Sequence, residues 1–319
     1  MAVYTDVSFE ELESFLTGYE IGTPLTFKGI AEGVENSNYY LQTTKAAFIL
    51  TLYEKRVNVA DLPFFLGLLE HLAANGIACP LPVRSLTGAQ SSRLGGRPAA
   101  LFTFLNGLSL RRPDAAHCAA AGSALAALHE ASKGFGLSRK NALSHDGWGE
   151  LVEACLPRAD EVELGLADLI ASAHAEITAV WPKDLPSGVI HADLFPDNVL
   201  FMNAEVSGLI DFYFACNDAY AYDLAVMLNA WCFEPDVAFN VTKSKSLIAA
   251  YCRKRELSKA ERDALPVLAA GSALRFLLTR LYDWLNHDPQ ALVRPKDPRE
   301  YARRLRFHRK VRSVGEYGL

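Results

Sequence analysis

His191, Asp193 and Asn198 stand in the spacing H-x-D-x-x-x-x-N inside SGVIHADLFPDNVLF, residues 187–201, and Asp211 follows in the apolar run GLIDFYFA. An aspartate held on a loop can accept the proton of an attacking hydroxyl. The amide oxygen of an asparagine and a carboxylate are hard donors that suit magnesium, which takes oxygen ligands and keeps several waters. A base beside two such ligands is what phosphoryl transfer needs, because positioning and charge neutralisation carry most of its catalysis. The bland alternative is a polar turn with ordinary capping aspartates, and Asp211 after it tells against that.

These groups need a scaffold. A short apolar strand ends at Ile190, and Pro196 pushes Phe195 into extended backbone, so a compact loop follows. A turn at Asn203–Glu205 would fold a strand over 206–211 back along 198–202 and bring Asp211 near Asn198. Upstream, SFEELESFLTGY opens with the capping pair Ser8 and Glu11 and has helical spacing. PLTFKGIAEGVENSNYYLQTTKAAFILTLYEK reads as three strands, ADLPFFLGLLEHLAANG as a helix ending at Gly76, and GRPAALFTFLNG as a further strand. Beyond it PDAAHCAAAGSALAALHEAS, DEVELGLADLIASAHAEITAVW and the segments 220–233, 241–255 and 260–286 are helical in pattern. The expected fold class is α+β: a small β-rich lobe over 1–105, a larger mainly helical lobe over 106–319, and a cleft between them as the place for a ligand.

Half of the 319 residues are hydrophobic, enough for a sizeable core, and 32 Lys and Arg against 37 Asp and Glu give a formal charge of −5. Nucleic acid is therefore not expected as a partner. Six dispersed cysteines carry no zinc spacing and point to buried, reduced thiols of a cytoplasmic protein. No uninterrupted apolar run reaches the length of a membrane span, and the opening MAVYTDVSFEELESFL is unlike a secretory leader. The tail from Arg294 holds nine Lys and Arg against three acids, and Tyr301, Leu305 and Val311 suggest a helix docked by one side with its arginines solvated.

HADLFPDNVL followed by LIDF resembles the catalytic segment of the aminoglycoside-phosphotransferase-like kinases, which share the protein-kinase-like two-lobed fold. The resemblance implies ATP and Mg2+ as cofactors, Asp193 as catalytic base, His191 as support for its loop, and Asn198 and Asp211 as magnesium ligands. KGIAEGVENSNYYLQT lies where that family places its phosphate-covering loop, so Gly33, Asn36, Ser37 and Asn38 become nucleotide-binding candidates. Thr51 stands where these kinases carry a lysine or arginine for the α- and β-phosphates, and threonine has no such charge. Lys55, roughly 13 Å further along an extended strand, Arg56 and Lys45 are other sources of charge. Glu70 occupies the place of the helix glutamate that would pair with that basic group. ALFTFLNGLS resembles the hinge, with Phe102, Thr103, Phe104 and Leu105 around the adenine.

For the acceptor, the resemblance points to Tyr213, Asp218, Asp223, Arg275 and Asp283, with Asn217 and Arg280 in the same region. Asp223, in YAYDLAVMLNAW, is also the residue that braces the active-site loops in such kinases. An amino-acid acceptor calls for an arginine and an acid, and a choline-type acceptor for an aromatic cage. EGVENSNYYLQTT, FILTLYEKR, DLPFFLGLLEHLAANGI and GVIHADLFPDNVLF are similar to the homoserine kinases of this superfamily, Thr51 included. That likeness implies ATP-dependent phosphorylation of the side-chain hydroxyl of L-homoserine, a step of threonine synthesis. Another small-molecule kinase acting on choline, methylthioribose or a sugar hydroxyl, and a non-catalytic nucleotide-binding regulator, are the alternatives.

Overall fold

Ser8 accepts from the Glu11 amide at 3.2 Å, and Glu11 returns a bond to the Ser8 N–H at 2.9 Å. This capping box starts helix α1 (Phe9–Leu16) and stabilises it by about 1 kcal/mol. The computed structural model describes residues 5–30, 36–54, 58–235, 238–287 and 294–319. They form two compact units. One comprises the chain up to Asn106 together with Gly208–Tyr213, and the other comprises Gly107–Ser207 and the described residues of 214–319.

In the first unit, strands β1 (Pro24–Gly29), β2 (Ser37–Thr43), β3 (Ala47–Leu52), β4 (Ser92–Leu94) and β5 (Arg97–Thr103) make one antiparallel sheet in the order β1-β2-β3-β5-β4. Strand alternation decides which side chains enter the core: on β2, Ser37, Tyr39, Leu41 and Thr43 are buried while their neighbours are half-buried. Leu12 and Leu16 of α1 join Tyr39, Leu41, Leu50, Leu52 and Leu101 in one apolar cluster. Helix α2 (Leu62–Ala74) is apolar nearly all round and ends before Gly76, whose φ of +85° is the left-handed stop that glycine takes readily. Strand β4, which the sequence pattern does not suggest, pairs with β5 through Ser92↔Ala99.

The second unit is mainly helical: α3 (Ala115–Ala131), α4 (Trp148–Cys155), α5 (Leu166–Ala179), α6 (Tyr220–Trp231), α7 (Val241–Cys252), α8 (Lys259–Asn286) and α9 (Arg299–His308). The alanine richness of α3 has a packing reason. A Cβ on Gly122 would lie 2.3 Å from the Leu247 carbonyl oxygen, so only glycine lets α3 and α7 approach so closely. The single helix expected over DEVELGLADLIASAHAEITAVW is shorter than its pattern. Residues 156–161 form 3-10 turns, Gly165 takes a left-handed φ of +82°, and regular helix runs only over α5. By length and composition α8 could cross a membrane, contrary to the expectation from the sequence, but 78% of its most apolar window is buried inside the protein. It is a core helix. The tail docks through Tyr301, Leu305 and Val311, yet Arg304 is buried with them rather than solvated.

The segment that carries the motif is built from short strands. Strand β6 (Ser187–Ile190) pairs antiparallel with β9 (Cys216–Ala219), which sequence reading did not anticipate. Strands β7 (Val199–Met202) and β8 (Glu205–Leu209) form a hairpin whose two turn residues, Asn203 and Ala204, have φ of 49° and 66°. That is the backbone hand a two-residue hairpin favours. Regular strand ends at Leu209, two residues short of the expected Asp211.

Candidate active site

Within the second unit, His191, Ala192, Asp193 and Asn198 lie on one loop between β6 and β7. Ala192 has a φ of +61°, which is costly for a residue with a Cβ. Its peptide groups are held from both sides. The Asp223 carboxylate of α6 accepts the N–H of His191 at 2.7 Å and that of Ala192 at 2.9 Å. The Arg275 guanidinium of α8 donates to the Ala192 carbonyl at 2.5 Å and rests on the Phe276 ring, 4.4 Å from its centroid.

Asp223 is fully buried, and its charge is supported by a directed chain. His129 Nε2 lies 3.1 Å from its carboxylate, His129 Nδ1 2.8 Å from the Tyr251 hydroxyl, and Arg255 donates to that hydroxyl at 3.1 Å. A carboxylate can only accept, so Nε2 carries the proton and Nδ1 accepts from Tyr251. Arg255 in turn pairs with Glu261 at 2.8 Å. Burial pushes the Asp223 carboxyl up, but the His129 bond and the His191 amide outweigh it and hold it below the ordinary carboxylate range. Burial pushes the His129 imidazole down, and Asp223 offsets only part of that. His129, Tyr251, Arg255 and Glu261 were not singled out from the sequence. The available signal was a histidine on the apolar face of α3, which reads equally well as an ordinary core residue.

The remainder of the loop is also pinned. Asn198 donates its amide N–H to the Asp193 carbonyl at 2.8 Å and faces the Asp193 carboxylate at 3.3 Å. Its oxygen is therefore the end suited to a cation. The Phe195 N–H bonds the Asp193 carbonyl at 2.8 Å, and the Trp231 indole donates to the Leu194 carbonyl at 2.8 Å. Asp193 is fixed by its backbone, and its carboxylate faces Asn198.

Asp211 belongs to the first unit, where its φ of +64° marks a second strained position. Two residues on, Tyr213 is half-buried with its ring edge-on to Tyr53 at 5.5 Å and Phe65 at 5.8 Å, and desolvation of its hydroxyl pushes the phenol up to about 12. Thr51 lies opposite Asn38 in the β2–β3 register and donates to the Asn38 amide oxygen at 2.8 Å. Ser37 is fully buried and donates to Glu54 at 2.7 Å, and the Asn36 side chain accepts from the Glu54 N–H at 3.4 Å. Ser37 and Asn36 thus serve the sheet. Glu70 does not meet a basic residue of β3: Arg84 grips both its oxygens at 2.8 and 2.9 Å. Lys45 is drawn to Glu20. Gly33, Lys55 and Arg56 lie outside the described residues.

At the expected hinge, β5 ends at Thr103, whose hydroxyl accepts from the Leu81 N–H at 2.9 Å. Phe102 is buried, Phe104 is exposed with its ring edge-on to Tyr40 at 5.6 Å, and Leu105 is half-buried. Of the acceptor candidates, Asp218 accepts from Asn141 at 2.7 Å, and Asp283 is half-buried on α8. Asp223 and Arg275 are both buried and bond the loop backbone, Asp223 through both carboxylate oxygens and Arg275 through one end of its guanidinium. The six cysteines are unpaired thiols, five of them buried. Among the described residues no group of three or more His, Cys, Asp or Glu could hold a metal.

A strained H-x-D loop braced by Asp223 and Arg275, with Asn198 oriented by Asp193, has the features of a kinase-type phosphotransferase site. Residues 26–265 match the family model described as "Phosphotransferase enzyme family". The chain is 60% identical over 319 residues to the homoserine kinase of Chelativorans sp. (strain BNC1), covering 100% of this chain and 99% of that one. It is equally similar, with the same coverage, to the homoserine kinase of Agrobacterium fabrum. The chain belongs to this phosphotransferase family and, within it, to the homoserine kinase family. Solved structures share the fold: amicoumacin kinase hAmiN (TM-score 0.71, 14% identity, 95% of this chain and 92% of that one) and a microcompartment-associated aminopropanol kinase (0.65, 18%, 98% and 99%). The fold is the protein-kinase-like α+β fold of the aminoglycoside phosphotransferases.

Proposed function

We propose that this protein transfers the γ-phosphoryl group of ATP to the side-chain hydroxyl of L-homoserine, releasing ADP and O-phospho-L-homoserine, a step of threonine synthesis. The observation that carries this reading is the 60% identity to homoserine kinases along the whole length of both chains. Asp193 receives the hydroxyl proton as the acceptor oxygen bonds to the γ-phosphorus, and the bond from that phosphorus to the β-bridging oxygen breaks. Asn198 keeps Asp193 oriented through the donor bond at 2.8 Å. Asp223 and Arg275 hold the strained loop ready before substrate arrives, so little reorganisation is left for the reaction itself.

Asn198 and Asp211 are both oxygen donors and fit magnesium, which would neutralise phosphate charge when bound. The β5 exit at Phe102–Leu105 is our choice for the adenine, the first unit serving as the nucleotide-binding half and the second as the catalytic half. We read the protein as cytoplasmic, with no nucleic acid or membrane partner. The test is ADP release by the purified protein with Mg-ATP. L-homoserine should stimulate it, and Asp193→Ala should lower turnover about 10²–10⁴-fold with the KM for ATP within a few-fold. An unchanged Asp193→Ala rate would remove Asp193 from the mechanism.

A further inference from the structure

We propose that Arg280, held by Glu300 over the ring of Tyr301, binds the α-carboxylate of the amino-acid acceptor whose hydroxyl meets Asp193. The inference rests on the acceptor reading above and adds the group that recognises it.

Charge balance makes the first case. The Glu300 carboxylate is shared by two guanidinium groups: Arg280 donates to it at 2.6 Å, and Arg304 binds its other oxygen. Arg304 is further committed to the Asn229 carbonyl at 2.6 Å. Two cations thus rest on one anion, with the Arg280 and Arg304 side chains only 11% and 9% exposed. Two guanidinium groups on one half-exposed carboxylate leave room for a further anion. Arg280 has five N–H donors in a planar fork, and Glu300 occupies one end, so a second carboxylate has donors to meet.

Position makes the second case. The guanidinium of Arg280 lies 4.4 Å from the Tyr301 ring centroid and that of Arg304 lies 4.5 Å from it. Tyr301 packs on Phe276 at 5.2 Å, and Phe276 packs on Phe195 of the catalytic loop at 5.0 Å. Burial raises the Tyr301 phenol, Arg304 and Arg280 pull it back, and the Glu300 and Asp193 carboxylates add to the rise. The Tyr301 hydroxyl is fully buried with no hydrogen-bond partner among the described residues. In homoserine about 5 Å separates the hydroxyl oxygen from the carboxylate carbon, and the Tyr301–Phe276–Phe195 stack ties Arg280 to the loop that carries Asp193. Asp283, one turn beyond Arg280 on α8, supplies an acid on the same helix face for the α-ammonium.

The experiment crosses two enzymes with two acceptors in an ADP-release assay: wild type and Arg280→Gln, each with L-homoserine and with L-homoserine amide, which lacks the negative charge. Wild type should show a KM about thirty-fold higher for the amide. Arg280→Gln should raise the KM for L-homoserine by a similar factor, leave the amide within about twofold, and leave the KM for ATP unchanged. Arg280→Lys should recover part of the preference. Equal losses on both acceptors would make Arg280 a structural residue and overturn the proposal. So would a wild type that treats acid and amide alike, a result that stands even if Arg280→Gln fails to fold. A wild type that turns over neither acceptor while phosphorylating another alcohol refutes the homoserine reading itself, which is a separate failure.

Discussion

The H-x-D loop of the second unit and strands β2 and β3 of the first hold their polar residues in opposite ways. At the loop, buried ionised groups from two helices clamp the backbone: Asp223 takes two amides, Arg275 takes a carbonyl, and His129, Tyr251 and Arg255 stand behind them. On β2 and β3 the polar side chains satisfy each other or the backbone across neighbouring strands: Thr51 with Asn38, Ser37 with Glu54, Asn36 with the Glu54 amide. A charge that supports strained backbone has no substitute. A cross-strand hydroxyl is one bond among many in a ladder. The loop therefore concentrates its energetics in a few residues and the sheet spreads it.

Asp223→Ala should break this contrast most severely. It strips two loop amides and the proton-bearing nitrogen of His129 of their acceptor and should lower stability by about 3–5 kcal/mol, read by urea unfolding. Acid should act next. His129 and His308 are both buried and held below the ordinary imidazole value by burial, His308 to about 3 with Arg304 adding to the effect. The unfolded chain binds those protons more readily, so the stability they contribute is full above about pH 6.5 and is lost as pH falls. For His308 the loss is about 1.4 kcal/mol per pH unit below 6.5. Unfolding curves at pH 7.5 and 5.5 should differ accordingly, and His308→Gln should flatten the difference.

Thr51→Val should cost about 1 kcal/mol, measured as a change in Tm, because it leaves the Asn38 oxygen without its donor. Glu70→Gln should be the smallest perturbation. Its pairing with Arg84 is on the surface and contributes below about 1 kcal/mol, so stability and the KM for ATP should both stay near wild type. A large rise in that KM would restore Glu70 to the nucleotide site and erase the contrast between the two regions.

What was legible in the sequence follows the same division. Strands β1, β2, β3 and β5, the capping box, the turn at Asn203–Glu205 and the H-x-D-x-x-x-x-N loop are local: they depend on alternation, on caps and on residues a few positions apart, which a chain displays directly. Shortened helices are local too, yet the left-handed Gly165 sits inside a pattern that reads as continuous helix, and periodicity alone does not reveal it. Glu70 was assigned by its place in a family pattern, and Arg84, from the loop before β4, competes for it in space.

By itself the sequence determined the α+β pattern, the phosphotransferase motif and the candidate base and metal donors, because each is set by residue type at short spacing. Only the tertiary structure decided that Ala192 is the strained residue, which backbone groups Asp223 and Arg275 hold, and that Arg280 and Arg304 share Glu300. The loop contacts join residues thirty to more than eighty positions apart in the chain, and Arg280 meets Glu300 of another helix twenty positions on. A buried charge takes whichever partner the packing brings within reach, and no spacing along the chain encodes that choice.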